Sequence, residues 1–219
     1  MTKEDVFRIM GKYYGNAHYR AAMNGCYTEE ELRITASFLD EINKLGYNIS
    51  NIHKLTYLED PRFLPIIFDY MRRFSDESSR AALLQAICFR SYKEATKELF
   101  TLYDDPEFIG LRWEISNALF DVREKKYLDK YLSIVNRPDY ANKPDLIIEI
   151  LCRFREKRIL PFLLRESQNN LYIRNQFLEF AHFFREPSLL AEVEKYIDDP
   201  DDYTRALAKK AAKRIEAMQ

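Results

Sequence analysis

A basic residue returns every 31 or 32 positions through the second half of the chain, at Arg80, Arg112, Lys143, Arg174 and Arg205. A period of this length is that of a helix pair, a unit too small to bury its own apolar face, so successive pairs must stack on one another as a solenoid. Three residues after each ladder position stand Leu83, Ile115, Leu146, Phe177 and Ala208, and seven after stand Ile87, Leu119, Ile150, Ala181 and Ala212. Offsets of three and seven share one face of an α-helix, which predicts that each ladder residue opens a helix burying that face. An upstream column of Phe68, Phe100, Tyr131, Phe162 and Val193 marks the first helix of each pair. Glycines are few and almost no segment alternates apolar with polar residues, so strands are not expected.

Between the two helices of a pair the sequence supplies turn and capping chemistry: Ser75-Asp76, Asp104-Asp105-Pro106, Arg137-Pro138-Asp139, Ser167 to Asn170, and Asp198 to Asp202. Acids and Asn at these places accept from the free N–H groups that open a helix. Lys143 is followed by Pro144, so the second helix of the third pair is expected to begin late. Upstream, Thr28-Glu29-Glu30-Glu31 reads as a capping box opening a helix to about Leu45, ended by Gly46, with a short helix from Asn51 to Leu58. Met1 to Gly25 reads as one or two short helices broken at Gly11 and Gly15. Lys209 and Lys213 replace the apolar residues of the internal units, giving the last helix the polar outer face of a terminal cap.

Composition bounds the function. Acidic and basic residues nearly cancel, with a formal net charge of -1, so the whole-chain field attracts neither nucleic acid nor an anionic membrane. Cys26, Cys88 and Cys152 are odd in number and far apart, which reads as reduced thiols in a cytosolic protein. With no apolar run of signal-peptide or membrane-spanning length, the expected location is the cytoplasm and no membrane partner is expected.

The order Asp76-x-x-x-Arg80-x-x-Leu83-Leu84-x-Ala86-Ile87, echoed by Asp201-x-x-x-Arg205-Ala206-x-Ala208, resembles the second helix of HEAT repeats, in particular the short HEAT-like repeats known from phycobilin lyases. The resemblance covers roughly residues 61 to 217. It implies an all-α, armadillo-like, right-handed α-solenoid of about five HEAT-like helix pairs, with residues 1–60 as a helical cap and 61–219 as the array, continuous as one domain. It also implies protein-binding scaffolds more than enzymes.

In such a stack the second helices line the concave face, and positions one, two and five after the ladder are expected to point out: Ala81, Ala82 and Gln85; Trp113, Glu114 and Asn117; Pro144 and Asp145; Asn175, Gln176 and Glu179; Ala206, Leu207 and Lys210. This surface is neutral to acidic and rich in amides, where a nucleic-acid groove needs Lys and Arg. Amides with an exposed aromatic suit a protein or peptide partner, and Trp113, Glu114, Asn117, Asn175, Gln176 and Glu179 are the candidate contacts; the alternative for Trp113 is burial between repeats. The ladder cations, with the acids Asp76, Asp105 and Asp201 close by, either bond an acid of their own or the adjacent turn and staple neighbouring repeats, as the resemblance implies, or track phosphates. The turns joining one pair to the next are basic, at Arg90, Lys93, Arg123, Lys125, Lys126, Arg153 to Arg158 and Arg185, and these either steer an acidic partner or RNA or simply offset helix carbonyl ends. His18, His53 and His182 stand apart with no metal-ligand spacing, no cofactor or metal is expected, and pairs such as Glu114 with Asp145, which nearly any solenoid offers, are the candidates for a general acid or base across the groove. Tyr13, Tyr14, Tyr19 and Tyr27 belong either to core or to a partner contact. The leading reading is a non-enzymatic scaffold. One rival is a nucleic-acid binder similar to the DNA-alkylation-repeat glycosylases, faintly echoed by Trp113-Glu114; another is a chromophore lyase or pigment-protein chaperone.

Overall fold

A computed structural model describes residues 28–218. The expectations on Met1 to Gly25, Cys26, His18, Tyr13, Tyr14, Tyr19 and Tyr27 lie outside these residues. The described residues are all-helical, with no strand among them. The chain divides into two compact units, residues 1–122 and 123–219.

The first unit holds α1 (Glu29–Lys44), a 3-10 turn (Ile52–Tyr57), α2 (Phe63–Arg73), α3 (Glu77–Ala86), α4 (Thr96–Asp104) and α5 (Arg112–Val122). Thr28 opens α1 through the expected capping box: its Oγ1 accepts from Glu31 N at 3.2 Å, and its own N donates to Glu31 Oε2 at 2.6 Å. Gly46 follows α1 at φ 100°, the left-handed conformation that a helix ending takes and that glycine adopts without strain. Asp76 caps α3 by accepting from Ser79 N at 2.7 Å. Asp105 caps not an α-helix but a 3-10 turn, Pro106–Leu111, which runs directly into α5. Helix α2 pairs with α3 and α4 with α5, while α3 packs on α5.

The second unit holds α6 (Leu128–Val135), α7 (Ile147–Arg153), α8 (Leu160–Glu166), α9 (Leu171–Phe180), α10 (Leu189–Glu194) and α11 (Asp202–Glu216). Asn170 caps α9 and Asp201 caps α11, accepting from Ile173 N at 3.1 Å and Thr204 N at 2.7 Å. The late start beside Pro144 is borne out, since α7 opens at Ile147. Within this unit α7 packs on α9 and α9 on α11, so second helices follow one another in chain order.

Tertiary hydrogen bonds fall at one repeat's separation. In the first unit Tyr70 Oη donates to Glu41 at 2.7 Å and Asn117 Nδ2 to Cys88 Sγ at 3.6 Å, each 29 residues apart, and Asp60 N donates to Tyr92 Oη 32 residues on. In the second unit Asn170 Nδ2 donates to Ala141 O at 2.7 Å and Thr204 Oγ1 to Asn175 Oδ1 at 2.8 Å, again 29 apart. Within each unit, pairs that follow one another in sequence are thus bonded to one another.

The apolar columns are the core. Leu83, Ile115, Phe177 and Ala208 are fully buried, as are Ile87, Leu119, Ile150 and Ala181. Burial of side chains of this size contributes roughly 1.5–3 kcal/mol each for the larger ones. The expectation that offset two points outward is corrected: Ala82, Asp145 and Leu207 are buried. In the second unit α9 touches its own partner and the second helices α7 and α11 before and after it, so three of its sides are covered and only a narrow strip stays open; on α7 even offsets five and eight, Ile148 and Leu151, are buried.

Among the described residues two non-glycine residues adopt the left-handed conformation, Arg155 at φ 57° and Arg185 at φ 53°. Arg155 closes α7 in a Schellman arrangement, its N donating to Cys152 O at 2.9 Å while Glu156 N donates to Leu151 O at 3.0 Å. A side chain at that position costs roughly 1 kcal/mol or more relative to glycine.

Candidate functional site

Arg80, Arg112 and Arg174 reach carbonyls at the end of the first helix of their pairs, while Arg205 bonds carbonyls of the loop well after α10. Arg80 is 5 % exposed; its Nε donates to Phe74 O, the last carbonyl of α2, at 2.7 Å, its guanidinium lies 4.5 Å from the Phe108 ring centroid, and it pairs with Glu107. Arg174 repeats the geometry, donating to Ser167 O and Gln168 O at 2.8 Å and pairing with Asp199 at 3.0 Å, with Tyr196 5.0 Å from its guanidinium. Arg112 reaches Tyr103 O at 3.4 Å, and Arg205 reaches Asp199 O and Pro200 O at 2.6 and 2.9 Å. The carbonyls that end the first helix have no intrahelical donor, and a cation there also offsets the negative end of the helix dipole. Lys143 is exposed and opens no helix, so it does not share this role.

The acid partners of Arg80 and Arg174 come from the adjacent turn, one of the two places expected, and not from the acids of their own turns. Asp76 and Asp201 are engaged with backbone N–H groups as caps, and Asp105 accepts from Glu107 N. The arginines instead pair with Glu107 and Asp199, which come from the next pair. With their guanidinium groups spent on carbonyls and buried rings, Arg80 and Arg174 do not form a phosphate-tracking row.

The open strip of the first unit runs along α3 and α5 through Gln85, Cys88, Trp113, Asn117 and Phe120. Trp113 is 49 % exposed, which answers the question of its burial, and Ile109 one turn earlier is 62 % exposed. Asn117 Nδ2 donates to Cys88 Sγ, whose thiol is pushed up to about 12 by burial and then by the nearby Asp121 carboxylate. That thiol stays protonated at neutral pH and is no nucleophile. Glu114 is half-buried, and its Oε2 has no hydrogen-bond partner among the described residues.

The strip of the second unit runs along α9 and α11 through Asn175, Glu179, His182, Ala206, Lys210 and Lys213. Asn175 accepts from Thr204 and is half-buried, Gln176 is half-buried with a buried, unpartnered Oε1, and Glu179 is exposed. His182 Nε2 sits 3.1 Å from Arg214 Nη1. Burial first, then the Arg214 and Lys210 charges, hold its pKa below the usual imidazole value. Of the six candidate contacts, Trp113 and Glu179 are the most available, while Asn117 and Asn175 are partly engaged inside their own units.

Asp145, one of the acids considered for acid–base chemistry, is 3 % exposed, accepts from Tyr140 Oη at 2.6 Å and from Ile147 N at 3.0 Å, and so takes up the first free N–H of α7. His53 is exposed. Among the described residues no group of three His, Cys, Asp or Glu side chains is placed to hold a metal ion, and no helix is long and apolar enough to cross a membrane. Comparison with protein-family models, curated proteins and solved structures gave no match to this chain.

Proposed function

We propose that this chain is a non-enzymatic scaffold or adaptor whose helix pairs continue as a right-handed α-solenoid of the HEAT-like kind, and that it binds a protein or peptide segment in the cytoplasm through the open strips of its second helices. The single observation that carries the binding assignment is Trp113, a large aromatic left half exposed on helix α5, whose other faces are buried. An exposed indole beside an amide and an isoleucine supplies the anchor that a partner side chain or main chain needs. The one-repeat spacing of the hydrogen bonds supports the solenoid part of the reading. The first unit's strip carries no Lys or Arg, which argues against a continuous phosphate-binding groove there.

The test is a photo-crosslinking capture from the native cell with a benzophenone side chain in place of the exposed Gln85 of the same strip, with Lys195, exposed just after α10, as the control position. A discrete partner crosslinked from position 85 and lost when Trp113→Ala/Glu179→Ala is added, with the melting temperature retained, supports the reading. Equal recovery with the double variant rules the strips out.

A further inference from the structure

The turns joining successive pairs in the second unit form a connected basic edge that the strips do not use. Arg158 bonds Asp129 at 2.7 Å, and Lys157 pairs with Glu186, so the turn at 153–158 is tied to α6 on one side and to the turn at 185–187 on the other. Arg158 is the main cause, and Lys125 a further one, of a Glu156 pKa held below the usual carboxylate range, which sets Lys125 in the same neighbourhood. Most cations of this edge are therefore satisfied by interleaved acids.

Two are not. Arg155 and Arg185 are exposed, and neither guanidinium has an acidic partner among the described residues. Both sit in the left-handed conformation, one in each of two adjacent turns. The chain uses glycine at the corresponding position after α1, where Gly46 takes φ 100°. A strained cation in place of glycine, twice, with no carbonyl or carboxylate bonded to its side chain, points to a use outside the chain.

We propose that Arg155 and Arg185 are a two-point anchor for an acidic protein segment that lies across these turns and presents one carboxylate to each guanidinium. Each fork can bind a carboxylate through two parallel N–H donors, and the rigid turn backbone fixes where it points. A polynucleotide fits this edge less well. Glu124, Glu156 and Glu186 interrupt the positive field that a continuous row of phosphates needs, and the large aromatic side chains most exposed among the described residues, Tyr57, Trp113 and Tyr203, all lie outside these turns. The proposal does not rest on the helix strips.

The left-handed geometry makes the test clean, because Arg→Gly relieves backbone strain while removing the charge. The full chain is titrated into a fluorescein-labelled peptide of repeated Glu-Gly-Ser at low salt, and anisotropy is read. Arg155→Gly/Arg185→Gly is expected to weaken binding about tenfold, with the melting temperature held or raised, and Arg155→Asn/Arg185→Asn, which also tolerates this conformation, is expected to match it. Binding of the unaltered chain is expected to weaken as salt rises, since both contacts are exposed charges. Unchanged binding in the glycine variant overturns the proposal, and a clear fall in its melting temperature does so as well by assigning the arginines to helix ending. A labelled oligouridylate bound more tightly than the peptide, with the same loss in the variant, overturns it in favour of nucleic acid.

Discussion

Replacing Arg80 by Met keeps the aliphatic stem in the core and removes the guanidinium. Three interactions go with it: the 2.7 Å bond to Phe74 O, the stacking over Phe108 and the pair with Glu107. The carbonyl dominates, because a charged donor is worth roughly 1.5–3 kcal/mol and its loss leaves a buried acceptor at the end of α2. The cation–π contact adds about 0.5–1 kcal/mol. The ion pair adds little, because Glu107 is 59 % exposed and screening reduces such pairs to about 0–1 kcal/mol. Arg80→Met should therefore cost about 3 kcal/mol, and Glu107→Gln under about 1 kcal/mol. Urea unfolding followed by circular dichroism measures both through the shift in midpoint at constant slope. If Glu107→Gln costs as much as Arg80→Met, the ladder acts as an ion-pair staple between repeats and the capping argument fails.

Asn170→Ala removes both the cap of α9 and the 2.7 Å bond to Ala141 O in the preceding pair, and should cost about 2 kcal/mol, more than a cap alone; a loss below about 0.5 kcal/mol by urea unfolding would count against stacking through that bond. For His182 the folded state disfavours the charged ring, so the unfolded chain binds more protons as pH falls below the ordinary value of 6.5. The stability it contributes is present above that value and is lost below it, through the lowered folded pKa. A urea midpoint that falls on acidification in this range, with a shallower fall in His182→Gln, is the expected result; an equal fall in both assigns the slope to other groups.

Much of the fold was legible because stacking imposes one period on every kind of signal. The columns at Leu83, Ile115 and Phe177 and the caps at Asp76, Asn170 and Asp201 stand where a single helical face and a single free helix start require. Offset two was misread at Ala82, Asp145 and Leu207 because an amphipathic pattern reports one buried face, whereas these helices are covered on three sides. For Arg80 and Arg174 the sequence left the acid of the same turn and that of the adjacent turn both open, because an acid four residues before an Arg looks like its counter-ion. Asp76 and Asp201 are already used by N–H groups, and the true acids stand 27 and 25 residues further on. At the candidate site, Trp113 was legible as a helix position but its exposure was not, since that depends on how closely α3 approaches α5. Nothing in the sequence marks Arg155 or Arg185 as left-handed, because arginine carries no preference for that conformation.

Trp113 is the chain's single tryptophan, so its fluorescence reports on the proposed contact without a label. The most direct measurement is acrylamide quenching and emission wavelength of the full chain, alone and with the crosslinked partner added in purified form. The expected result is an accessible indole in the free protein that shifts to the blue and becomes protected from quencher as the partner saturates. An indole equally quenched and unshifted while an independent assay shows the partner bound would contradict the assignment of the α5 strip as the binding surface.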